Sequence, residues 1–131
     1  MVEDITIFNG KLVITPLIKA QRALNEAIKE ADTKLERDGA IQRFEFTYEL
    51  LWKTLKKILS FKGININNPR DVFRAAAKEG LIEDPKFWFE AIKKRNMTTH
   101  IYNEQYADEV FDFLPQLVEH LALVIDKIRL L

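Results

Sequence analysis

A chain of 131 residues, 47% hydrophobic and 31% charged, has the composition of one globular domain with one core. Its 20 basic and 20 acidic side chains cancel, which argues against general adhesion to nucleic acid and leaves room only for a local basic patch. With no cysteine and only two, widely separated histidines, His100 and His120, it offers no disulfide framework, no thiolate chemistry and no zinc-type spacing, so neither a metal nor a cofactor is expected.

The N-terminus, "MVEDITIFNG", is acidic and lacks the basic-then-apolar plan of a signal peptide. No apolar run approaches the roughly 18 residues of a membrane-spanning helix. A cytoplasmic protein with no membrane partner is expected. Within "ITIFNGKLVI", Asn9-Gly10 between β-branched and aromatic residues is a hairpin signal. A lone two-stranded hairpin is marginal in water, so residues 1–14 are expected to form an extended or weakly paired arm.

The rest reads as helices. Thr15 is the expected cap of the first, with Pro16 in its first position. Leu17, Ala20, Leu24, Ala27, Ile28 and Ala31 then recur at steps of three and four. Asp38 is the expected cap of a second helix, whose seam is Ile41, Phe44, Tyr48, Leu51, Leu55 and Ile58. Phe46, Leu50 and Trp52 add apolar surface off that seam, which predicts a central helix or one at a subunit interface. Gly63 ends it. Asn68, Pro69 and Asp71 open a short third helix that stops at Gly80, and Asp84 and Pro85 open a fourth. Asn103 caps a fifth, with a stripe from Leu114 to Ile128 and a proline, Pro115, that predicts a kink or a restart. No repeat or long linker divides the chain. The expected fold is all-α: an antiparallel up-and-down four-helix bundle with one short additional crossover helix, a single domain over residues 1–131.

Candidate chemistry concentrates in "KKRNMTTHIYNE", Lys93 to Glu104. On a helix, Trp88, Ile92, Arg95, Thr99 and Tyr102 share one stripe, and Phe89, Ile92, Asn96 and His100 share its neighbour. Both stripes begin apolar and turn polar at Arg95, so Arg95 and Asn96 are expected to be partly buried, paired or facing a cleft. Arg95 and His100 differ by about 140° in azimuth and about 7.5 Å in rise, so they meet only if the helix loosens or two chains contribute. Thr98, Thr99 and Asn96 favour loosening. Histidine exchanges protons near neutral pH, and arginine holds phosphate oxygens and stabilises a phosphorane-like transition state. Together they suit phosphodiester cleavage by a 2′-hydroxyl without a metal. Tyr102 adds a hydroxyl that can orient a phosphate or accept a transferred group. In the plainer alternative this is a helix end, with His100 against the dipole and Arg95 paired with Glu45 or Glu49. Spacing alone favours that alternative.

Three ordered blocks add to this: "DGAIQRFEFTYELLWKTLKKIL", "NPRDVFRAAAKEGLIED" and "RNMTTHIYNE". From about Asp38 to about Ala107 the chain resembles the nucleotidyltransferase substrate-binding family of the HEPN superfamily, a HepT-like group. The first and last helices are similar only in their helical pattern. The resemblance implies a homodimeric bundle and, as partner, a minimal nucleotidyltransferase encoded nearby, in a toxin–antitoxin type pair. It further implies a metal-independent endoribonuclease with Arg95 and His100 as catalytic pair, Asn96 in the polar place after the arginine, and Tyr102 as acceptor of AMP from the partner. The family's substrate-binding branch implies a different role, a non-catalytic subunit that holds substrate or nucleotide.

Glu45 and Glu49, one turn apart in the first block, form a like-charged pair that needs a cation, and Arg95 of the same or a partner chain is the candidate. Lys53, Lys56 and Lys57 on the second helix and Lys93, Lys94 and Arg95 on the fourth form a candidate basic patch for RNA or nucleotide phosphates. Trp52 is a candidate for stacking there, although it and Trp88 and Phe89 suit the core or an interface better. Tyr48 is expected in the core seam, Tyr106 is a second candidate acceptor, and His120 is expected at the surface or its boundary.

Overall fold

The structure is a computed structural model that describes residues 3–131. Five helices follow a short hairpin: α1 (Thr15–Glu30), α2 (Lys34–Phe61), α3 (Pro69–Lys78), α4 (Pro85–Met97) and α5 (Glu104–Arg129). The helices α1, α2, α4 and α5 form the antiparallel bundle, and the short α3 crosses over between α2 and α4. The expected all-α architecture is the one observed.

Local chemistry explains most boundaries. Asn68, Asp84 and Asn103 cap α3, α4 and α5, each accepting from a backbone N–H two or three residues on. Two expected caps differ. The second helix begins at Lys34, not after Asp38, because Thr33 and Glu36 form a reciprocal capping box. Asp38 instead accepts from the Arg37 side chain at 2.9 and 3.0 Å. Thr15 lies inside α1 and makes no cap bond; its Oγ1 accepts from the Ile5 N–H at 2.7 Å and so ties the arm to the helix. Nor does α5 restart at Pro115, since the helix is continuous from Glu104 to Arg129. Pro115 is exposed there, so the hydrogen bond it omits is on the wet side.

The arm is more ordered than an extended segment. Strands β1 (Thr6–Ile7) and β2 (Leu12–Val13) pair antiparallel, Thr6 with Val13 and Ile7 with Leu12. Asn9 and Gly10 have φ of 54° and 84°, and the Lys11 N–H donates to the Phe8 carbonyl at 3.2 Å, as a type I′ turn requires. What stabilises this small hairpin is docking. Ile7 and Ile14 are buried, Phe8 stacks on Phe61 with ring centroids 4.6 Å apart, and the Phe8 N–H donates to the Leu131 carbonyl.

The seam residues Ile41, Phe44, Tyr48, Leu51, Leu55 and Ile58 are all buried. Aromatic rings run through the core from Phe44 and Tyr48 to Phe73, which stacks on Trp88 at 5.3 Å. Phe87 continues the row to Phe113 and to His120, whose ring stacks on Phe87 at 3.6 Å. His120 is thus a half-buried boundary residue. Burial pushes the Tyr48 phenol up to about 12, with Glu49 adding to the shift and Arg95 opposing it.

Candidate functional site

The end of α4 is where the loosening expected from its threonines occurs. After Met97 the chain tightens into a single 3-10 turn, Thr98–His100, before Asn103 starts α5. Thr98 is buried at that junction and organises it. Its Oγ1 donates to the Arg95 carbonyl at 2.7 Å and accepts from Arg95 Nη1 at 3.0 Å.

Arg95 is held from the other side by α2. Its Nη1 lies 3.6 Å from Glu45 Oε2 and its Nε lies 3.9 Å from Glu49 Oε1. These are ion pairs rather than hydrogen bonds at those separations, and Nε is buried without a hydrogen-bond partner. The guanidinium is therefore positioned yet keeps donors uncommitted. Glu49 is shared: its Oε2 accepts from the Trp52 indole N–H at 3.1 Å and lies 3.7 Å from Lys53 Nζ. The acidic pair thus finds its cation within the same chain.

His100 and Tyr102 form the exposed half of the cluster. His100 Nδ1 is 3.0 Å from the Tyr102 hydroxyl, and the two rings meet edge to face. Tyr106 approaches the same imidazole edge-on at 6.3 Å. Tyr102 is 81% exposed, so its hydroxyl is open to a large reagent. Among the described residues no hydrogen bond joins Arg95 to His100: Arg95 pairs with Glu45 and Glu49 of α2, and His100 meets Tyr102 and, from α5, Tyr106. Within one chain the turn brings the two groups to the same end of α4 without a hydrogen bond between them.

Two expectations about neighbouring residues fail. Asn96 is exposed rather than partly buried, because the stripe it continues ends before it. Lys94 does not join a free basic patch. Its Nζ donates to Glu90 at 3.1 Å, faces Glu109 at 3.9 Å, lies over the Phe113 ring at 5.8 Å and is only 13% exposed. Lys93 remains on the surface, with Glu90 at 3.9 Å. Lys53 and Trp52 meet the other carboxylate oxygen of Glu49 and line a cavity between α2 and the arm.

One residue was missed. Arg37 is 8% exposed and donates to Asp38, to Glu104 at 2.9 Å and to Asp108 at 3.1 Å, clamping the start of α5 to the start of α2. These bonds push its pKa further up and hold Glu104 below the usual carboxylate range. A lone arginine among acidic neighbours carries no sequence signature of burial. The capping box at Thr33, by contrast, was spelled out as Thr-x-x-Glu.

Comparison with known proteins follows the same lines. Residues 12–128 match the family model described as "Nucleotidyltransferase substrate binding protein like". A Haemophilus influenzae protein named "Probable ribonuclease HepT" is 32% identical over 96 residues, 70% of this chain and 66% of that relative, so the match spans just under two thirds of the relative's length. A crystal structure from Thermus thermophilus superimposes with a TM-score of 0.81 at 34% identity, over 86% of this chain and 98% of the other. A Haemophilus influenzae structure, described as revealing the fold of a substrate-binding domain of a nucleotidyltransferase, gives 0.78 at 26% identity, over 88% and 98%. The matched family region takes in α1 to α5 up to Ile128, and with it Arg95, His100 and Tyr102: the chain belongs to the nucleotidyltransferase substrate-binding protein-like family.

Proposed function

We propose that the protein is the HepT-like partner of a minimal nucleotidyltransferase, and that it is a metal-independent endoribonuclease switched off by AMP transfer to Tyr102. The observation that carries this reading is the turn Thr98–His100, which sets a positioned guanidinium, an exposed imidazole and an exposed phenol at one end of α4. In the reaction the RNA 2′-oxygen loses its proton to a base and attacks phosphorus. The P–O5′ bond breaks, leaving a 2′,3′-cyclic phosphate and a 5′-hydroxyl. His100 exchanges the proton, and Arg95 binds the phosphoryl oxygens as charge builds on them. Because Arg95 and His100 bond to different partners within one chain, a homodimer would complete the site. Phe46, 52% exposed on the same helix as Glu45 and Glu49, is apolar surface suited to that contact.

The silencing step suits the same geometry. The Tyr102 oxygen attacks the α-phosphorus of ATP, the bond to pyrophosphate breaks, and the phenolic proton passes to a base such as His100 Nδ1, 3.0 Å away, in its unprotonated state. The adduct would place a phosphate against the catalytic imidazole.

A second reading is a binding subunit that holds substrate for the transferase without reacting. It is favoured by the pairing of Arg95 with Glu45 and Glu49 and by the absence of an Arg95–His100 hydrogen bond among the described residues. Purified protein is incubated with RNA in excess chelator, beside His100→Ala. Cleavage by the wild type alone supports the ribonuclease. No cleavage by either, or equal cleavage by both, rejects it.

A further inference from the structure

Glu49 is pulled from two sides. On α2 it stands three residues before Trp52 and four before Lys53, so the three side chains share one helix face. Its Oε2 accepts from the Trp52 indole N–H at 3.1 Å and lies 3.7 Å from Lys53 Nζ. Its Oε1 faces α4, where Arg95 Nε stands 3.9 Å away. That separation is too long for a hydrogen bond. Yet Arg95 Nε is buried and, among the described residues, has no hydrogen-bond partner.

A guanidinium N–H and a carboxylate form one of the stronger hydrogen bonds in a protein, and a buried donor left without an acceptor costs free energy. Left to itself, Glu49 would close on Nε. Neither other neighbour of the guanidinium takes its place there, since Glu45 and Thr98 both meet Nη1, at 3.6 and 3.0 Å. What opposes the closure acts on the other oxygen. The Trp52 ring packs against the core, which makes its indole N–H a fixed donor. Lys53 adds a positive charge beside the same oxygen.

We infer that Trp52 and Lys53 are positioning residues for Arg95, acting through Glu49. By holding Oε2 they keep Oε1 off Nε, and so leave the guanidinium free to advance onto a phosphoryl oxygen. The inference rests on the reading of Arg95 as the phosphate clamp. Glu49 then has two roles in one place. It stands near enough to orient Arg95 by charge, and it is restrained enough not to lock it to α2. Once the restraint is removed, substrate phosphate must displace a carboxylate of its own sign before Arg95 can reach it. The role requires no contact between RNA and either Trp52 or Lys53.

The test joins NMR to kinetics on the purified full chain. The Arg95 Nε–H resonance is identified by its loss in Arg95→Lys. In Trp52→Phe, which keeps an aromatic ring in place, that resonance is expected to move downfield as Glu49 becomes its acceptor. In Trp52→Phe/Glu49→Gln it is expected to return toward the wild-type position. With RNA in excess chelator, Trp52→Phe is expected to raise KM about tenfold and leave kcat within about twofold, because Glu49 is displaced on binding. Lys53→Met alters a side chain that is 60% exposed, so it leaves the core intact even where Trp52→Phe lowers stability. It is expected to raise KM about threefold. Glu49→Gln in either background is expected to restore KM to within about twofold of the wild type, because a neutral amide grips the guanidinium less.

An Nε–H resonance that stays put in both Trp52→Phe and Lys53→Met overturns the inference. So does a KM that remains raised after Glu49→Gln, which marks Trp52 and Lys53 as direct RNA contacts or as packing alone. A resonance that moves and returns as described, in a protein that cuts no RNA, upholds the positioning and rejects the ribonuclease.

Discussion

Arg95 and Thr98 hold each other in a closed pair: the guanidinium donates to the Thr98 hydroxyl at 3.0 Å, and that hydroxyl donates to the Arg95 carbonyl at 2.7 Å. Thr98 is buried, so its shape matters as well as its hydrogen bonds. Thr98→Val keeps the shape and removes both bonds, at a cost of about 1 kcal/mol in stability. It is expected to slow single-turnover RNA cleavage by about tenfold, because a clamp that wanders loses alignment. Thr98→Ser, which restores the hydroxyl, is expected to recover the rate. Equal rates in all three proteins would show that Thr98 only ends the helix.

Arg37 couples the starts of α2 and α5 through Asp38, Glu104 and Asp108. Since its carboxylate partners are substantially exposed, Arg37→Met is expected to cost about 1–2 kcal/mol in urea unfolding at pH 7. The hydrogen bond from Arg37 lowers the Glu104 pKa, with Lys34 adding to the effect. A lowered carboxylate stabilises the fold above its unfolded pKa, and that contribution is lost as pH falls through the folded value. The gap between wild type and Arg37→Met is therefore expected to be full above pH 4.5, the ordinary value, and to close below it. A gap that is constant from neutral to acid pH would rule out this linkage.

The hairpin is expected to matter to stability although it holds only two residues per strand. Ile7 is buried between the arm and the bundle. Ile7→Ala is expected to cost about 2–3 kcal/mol in equilibrium unfolding, the lower part of the range for such truncations, because the site can collapse at an edge. A cost below about 0.5 kcal/mol would mean that the arm is not docked in solution.

Tyr102 is the expected acceptor in the presence of the partner transferase and ATP. Intact-mass spectrometry should find AMP adducts on the wild type and none on Tyr102→Phe. An unchanged adduct on Tyr102→Phe would redirect attention to Tyr106, the other phenol against His100.

Much of this structure was legible because its punctuation is strong. Proline after Asn68 and Asp84 left little freedom over where α3 and α4 begin, and the α2 seam was a period-3.5 pattern that one buried face requires. Where reading failed, two signals competed. Thr15 before Pro16 looks like a cap, but Ile14 is needed in the core and Thr15 is drawn to the Ile5 amide instead. Asp38 looks like a cap, but the box formed by Thr33 and Glu36 starts the helix earlier. In the site, the positions of Arg95, His100 and Tyr102 along the chain were plain, and so was the weak helix after Met97. The direction in which each side chain turns was not, because it depends on Glu45, Glu49 and Thr98, which the fold supplies.

The ribonuclease account is tested most directly by an RNA that carries a single 2′-deoxy sugar at its mapped cleavage position, incubated with the wild type in chelator. The expected result is loss of cleavage at that position alone, with unmodified RNA giving a 2′,3′-cyclic phosphate. Cleavage at the deoxy position at the unmodified rate would contradict attack by the 2′-hydroxyl, and with it the roles given to His100 and Arg95.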